Sequence, residues 1–153
     1  MRQTLIKANS PLDQVQTFCK FAAKYASDYF SDELAPIRRW SLQELFKQIR
    51  ARYLREQGEQ IIRPLYYWRD GGGGDCDDAF IQYTAFFISC GIEPHRIICC
   101  EAREPQNDYY SHIFSALETP RGVVILDNLP ESKFNQLDCP GELVRFTRVS
   151  EYL

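Results

Sequence analysis

The sequence predicts an α+β fold from three features. Apolar residues recur at three- and four-residue spacing over much of the stretch before residue 54, the period of a helix buried on one side. From Asp77 to Cys90 the chain is apolar nearly all round, the pattern of a helix enclosed on several sides. Beyond Arg96 the helical period gives way to short β-prone runs bounded by turn residues. Helices first, one buried central helix, then a small antiparallel sheet is an α+β order, and 153 residues suit a single domain spanning 1–153.

Within Pro11 to Phe30, the residues Leu12, Val15, Phe18, Phe21, Ala22 and Tyr25 mark one helix face, with Ser10 as cap and Pro11 in the first turn. Pro36 breaks this pattern. Ser41-Leu-Gln-Glu44 then reads as a capping box opening a second helix, which turns Leu42, Leu45, Phe46, Ile49, Tyr53 and Leu54 inward and stops at Gly58. Pro64, the run Tyr66-Tyr67-Trp68 and four glycines make the next stretch a loop with bulky anchors, its glycines the flexible wall of a groove. The central helix ends at Gly91, and Pro94 keeps it from restarting. Arg96–Cys100, His112–Leu117 and Gly122–Leu126 are expected as consecutive antiparallel strands, the last two joined by a turn at Thr119-Pro120-Arg121. Glu101–Ser111 and Pro130–Gly141 read as loops, and Leu143–Val149 as a last strand.

Composition narrows the classes of function. A net charge of −3 leaves no polyanion footprint, so nucleic acid is not an expected partner. No run approaches the roughly 18 apolar residues of a spanning helix, and the first ten residues lack a continuous apolar core. A soluble, cytoplasmic protein without membrane association is therefore expected. Of the six cysteines, four fall within apolar helices or strands, which favours reduced, buried thiols over a disulfide framework.

Cys76 is the exception. In Gly71-Gly-Gly-Gly-Asp75-Cys76-Asp77-Asp78 it sits where a glycine loop meets the buried helix, so the positive end of the helix dipole would favour its thiolate. Asp77 and Asp78 oppose that effect, and the sequence leaves the balance open. A cysteine nucleophile needs a base and a group that orients the base. Of the two histidines, His95 lies in a turn and reads as a solvated surface residue. His112 opens a strand whose antiparallel neighbour ends at Asp127, so a hairpin brings both to one sheet edge. Cys76, His112 and Asp127 thus form a candidate triad, with backbone N–H groups at the helix start as part of an oxyanion hole.

The series Gly74-Asp75-Cys76-Asp77-Asp78, a buried helix, Cys90-Gly91-Ile92-Glu93-Pro94, a strand, Ser111-His112-Ile113-Phe114 and Val124-Ile125-Leu126-Asp127 resembles the transglutaminase-like superfamily of cysteine enzymes, over about Ser41 to Pro130. It is most similar to small bacterial and phage members carrying Gly-Asp-Cys-Asp-Asp. The resemblance implies a papain-like core with the nucleophile at the N-terminus of its central helix, extra N-terminal helices here, and catalysis by Cys76, His112 and Asp127. It also implies a protein or peptide substrate, no cofactor, a peptidase or amidase activity, and a side-chain oxyanion donor from upstream such as Trp40, Trp68 or a nearby Tyr. The hairpin departs from the family by ending Asp127-Asn128-Leu129-Pro130.

The same residues admit other outcomes. A crosslinking transglutaminase would share the acyl-enzyme, and a catalytically silent binding or assembly module would keep the fold without turnover. Structural zinc on Cys99, Cys100, Cys139 and His95 is disfavoured because neighbouring strand residues face opposite ways. Asp75–Asp78 lacks the alternating ligands of a calcium loop.

Overall fold

The computed structural model describes residues 3–5, 11–54, 60–103, 112–137 and 142–153. Its chain runs through β1 (Gln3–Leu5), α1 (Pro11–Tyr25), α2 (Leu42–Ala51), β2 (Gln60–Ile62), α3 (Pro64–Tyr67) and α4 (Cys76–Ser89). It finishes with β3 (Ile97–Arg103), β4 (His112–Thr119), β5 (Gly122–Leu126) and β6 (Glu142–Arg148). The fold is α+β. Ser10, Gly58, Cys139 and residues 104–111, the greater part of an expected loop, lie outside the described residues.

Helix α4 forms the centre. Phe80, Ile81, Tyr83 and Ala85 on it are all fully buried, as its nearly unbroken apolar sequence requires. Val15, Phe18, Cys19 and Ala22 of α1 close one side of the same core. Helix α2 starts as expected, Ser41 Oγ accepting from the Glu44 N–H at 3.1 Å, and buries Leu45, Phe46 and Ile49.

The sheet has the order β5-β4-β3-β6, antiparallel throughout. Alternation sorts its residues. Ile97, Cys99, Ile113, Leu117 and Leu126 join the helical core, whereas Cys100, Phe114 and Ala116 cluster on the other face with Ile98 and Ile125. The β4–β5 hairpin pairs Thr119 with Gly122. Thr119 Oγ1 accepts from the Arg121 N–H at 3.2 Å and donates to the Gly122 carbonyl at 2.7 Å, and Gly122 takes the positive φ of 117° that its turn demands.

The first half of the chain departs from the sequence expectation: α2 ends at Ala51, so that Leu54, expected inward, is exposed, and Pro64–Tyr67, expected as loop, is helix α3. Strand β2 falls inside the supposed loop and pairs with β1, Gln3 opposite Ile62. Strands of three residues are too short to display a period of two. The glycine stretch does wall a cleft, through Gly71–Gly73, but as a hydrogen-bonded, packed turn. The Gly72 N–H bonds the Arg69 carbonyl at 2.8 Å, the Gly74 N–H bonds that of Arg52 at 3.2 Å, and the Leu54 N–H bonds that of Gly74 at 2.8 Å. A Cβ on Gly74 would lie 2.2 Å from Asp78 Oδ2, and one on Gly73 would lie 2.2 Å from the Arg52 carbonyl. Glycine is needed there for close approach.

Candidate active site

The packed glycine turn delivers the chain to α4 with Asp75 as N-cap, its Oδ1 accepting from the Asp77 N–H at 3.2 Å. Cys76 is the first helical residue and is partly exposed. Its thiol donates to Asp77 Oδ1 at 3.8 Å. Burial pushes the thiol pKa well up, the Asp77 and Asp75 carboxylates push it further, the Ile113 backbone N–H opposes them, and Asp78 adds a smaller rise. The helix dipole therefore does not leave Cys76 a resting thiolate, contrary to the simplest reading of its position. Burial likewise raises Asp75, against the backbone N–H groups that bond its carboxylate.

His112, the first residue of β4, and Asp127, the first after β5, do meet. Nε2 of the imidazole lies 2.7 Å from Asp127 Oδ1, with 10% of the histidine side chain and none of the aspartate exposed. The β4–β5 register pairs Ser115 with Leu126, which puts Asp127 one step further along, beside the start of β4. The imidazole stacks on Phe114, centroids 5.5 Å apart. Among the described residues Nδ1 makes no hydrogen bond, and none joins Cys76 Sγ to His112. Cys76 instead approaches from the helix side of the sheet, packed against the core that Ile113, the residue after His112, helps to form.

Asn128 stands out in the sequence only as the residue that follows Asp127. It is buried, and its Nδ2 reaches the carbonyls of Cys76 at 3.5 Å and Ile113 at 3.4 Å. Its turn is held by the Leu129 N–H to Ser132 Oγ bond at 3.0 Å and by Arg50 Nη1 of α2, which donates to the Ser132 carbonyl at 2.7 Å. The only sequence signal was adjacency to Asp127, since both carbonyl partners are remote in the chain.

Among the proposed oxyanion donors, Trp68 is occupied: its Nε1 donates to Tyr29 Oη at 2.9 Å inside the core. Trp40 packs edge-on against Trp68, centroids 5.5 Å apart. Of the described members of the zinc set, Cys99 and Cys100 face opposite sides of the sheet and His95 is exposed beside Glu93, Nδ1 3.3 Å from Oε2. Ligand atoms of Asp75, Cys76 and Asp77 lie within 4.8 Å of one another, but Asp75 caps α4 and Asp77 accepts a hydrogen bond from the thiol. A cleft of about 580 Å³ opens upstream, lined in part by Tyr66, Trp68, Arg69 and Gly71–Gly73; Cys76, His112 and Asp127 are not in its lining. Among the described residues, no helix is long and apolar enough to cross a membrane.

Comparison with protein-family models, with curated proteins and with solved structures finds no match to this chain.

Proposed function

We propose that the chain is a cysteine-dependent acyl-transfer enzyme acting on peptide or glutamine-type amide bonds, working as a peptidase or amidase, with a transglutaminase-like, papain-like core. The observation that carries this is the His112–Asp127 pair at 2.7 Å, placed at the end of β4 where the helix bearing Cys76 docks. The Gly-Asp-Cys-Asp-Asp segment supports the same reading by resemblance.

In this mechanism Asp127 holds Nε2–H, leaving Nδ1 to take the thiol proton. Because Cys76 rests as a thiol, proton removal and attack are coupled: the side chain turns from Asp77 to the imidazole, and sulfur adds to the substrate carbonyl as His112 accepts the proton. Asp127 stabilises the imidazolium, which returns the proton to the leaving amine. Water, activated by the same histidine, then attacks the thioester, expels the Cys76 thiolate and releases the acid. An amine in place of water would give transamidation.

A second reading is favoured by one observation: the thiol is bonded to Asp77 and not to His112, as suits a silent binding module. Thiol alkylation across pH separates the two. An enzyme is expected to show Cys76 labelling at neutral pH that disappears in His112→Ala. Cys76 labelling no faster than that of exposed Cys90, and indifferent to His112→Ala, would sink the triad.

A further inference from the structure

We propose that Asn128 is a positioning residue, its side-chain amide clamping the nucleophile's helix to the strand that carries the base. This rests on the acyl-transfer reading and extends it to a residue outside the triad.

Asp127 and Asn128 are consecutive, yet their side chains serve different partners. Asp127 bonds the imidazole, and Asn128 turns its amide towards the helix side, to the carbonyls of Cys76 and Ile113. One dipeptide thereby touches the base directly and the nucleophile through its backbone. The carbonyls of Ile113 and Cys76 both accept from the one Asn128 amide, which joins the strand to the helix. His112 is one peptide unit from Ile113, so the clamp fixes where Sγ stands relative to the imidazole.

Two carbonyl acceptors require the NH₂ end of the amide, which orients it and turns Oδ1 away. That oxygen is buried and has no hydrogen-bond partner among the described residues. A buried polar atom left unpaired costs about 1–3 kcal/mol, so two long hydrogen bonds give the amide little to offer stability alone. The clamp has a firm base, because Arg50 of α2 holds the following turn through the Ser132 carbonyl at 2.7 Å.

The test measures iodoacetamide labelling of Cys76 against pH in the full chain, for wild type, His112→Ala, Asn128→Ala and the isosteric Asn128→Asp, which puts an acceptor against two carbonyls. Losing the clamp is expected to lower the His112-dependent rate about ten- to hundredfold, the penalty of misplacing reacting groups by an ångström or less. The NMR resonance of His112 Nε2–H, bonded to Asp127, should persist in both variants. A His112-dependent limb that survives both Asn128 substitutions overturns the clamp alone. Unfolding of both variants, seen by near-UV circular dichroism, makes Asn128 a structural residue and also overturns it. A wild-type rate with no dependence on His112 overturns the clamp together with the acyl-transfer reading.

Discussion

Cys76 is held protonated by its neighbours, although it begins a helix. The dipole offers roughly half a positive charge at the N-terminus. Against it stand burial and the carboxylates of Asp77, Asp75 and Asp78, helped only by the Ile113 N–H. The sequence displayed both sides of this contest but not the burial that decides it. Replacing Asp77 by Asn removes the largest carboxylate contribution, so the thiol pKa should fall towards its ordinary value of about 9. In a His112→Ala background, the midpoint of Cys76 alkylation should therefore move to lower pH than in His112→Ala alone. An unmoved or higher midpoint would mean that Asp77 does not govern the thiol. The pairing of His112 with Asp127 was legible because hairpin topology fixes which strand ends meet. Asn128 was not, since an asparagine after a strand is ordinarily a turn residue and its partner Cys76 is 52 residues away.

At the scale of elements, the glycine turn is the part whose composition misled. Four glycines suggest freedom, but freedom and close approach demand the same residue type. Gly71 and Gly74 separate the two uses. Gly71 has a φ of 75° and open space around it, whereas Gly74 packs against Asp78 at the start of α4. Gly71→Ala should lower stability by about 1–2 kcal/mol through backbone strain. Gly74→Ala, which forces Asp78 or the turn to move, should reach or exceed the upper end of the about 1–3 kcal/mol typical of overpacking. It should also slow Cys76 labelling. Urea midpoints for the two variants test this, and equal effects would refute the packed-turn assignment. Strands β1 and β2 show the opposite limit: pairing that long-range contact creates in segments too short to announce it.

For the whole molecule, burying so many thiols and phenols sets a direction of pH dependence. Burial raises Cys19 to about 12, and Cys76, Cys99, Tyr67 and Tyr83 well above their ordinary values. Below the ordinary thiol value of 9 both folded and unfolded chains keep these protons, so the groups add no pH dependence. Above it the unfolded chain releases protons that the folded chain retains, and stability falls as pH rises, for Cys19 across the window from 9 to about 12. The melting temperature should drop between about pH 8 and about pH 11. Cys19→Ala should lessen that drop even if it lowers the melting temperature itself. A flat or rising melting curve would contradict the buried state of these groups.

The sequence by itself determined the α+β class, the central helix, the sheet strands from β3 onward and the residue types of the site. Each of these is written in local periodicity, caps and turn residues, or in the simple rule that a hairpin returns to where it began. Only the tertiary structure decided that the glycines pack, that β1 joins β2, that Cys76 rests as a thiol and that Asn128 bridges helix and strand. Those outcomes depend on desolvation and on contacts between residues far apart in the chain, which no local pattern encodes.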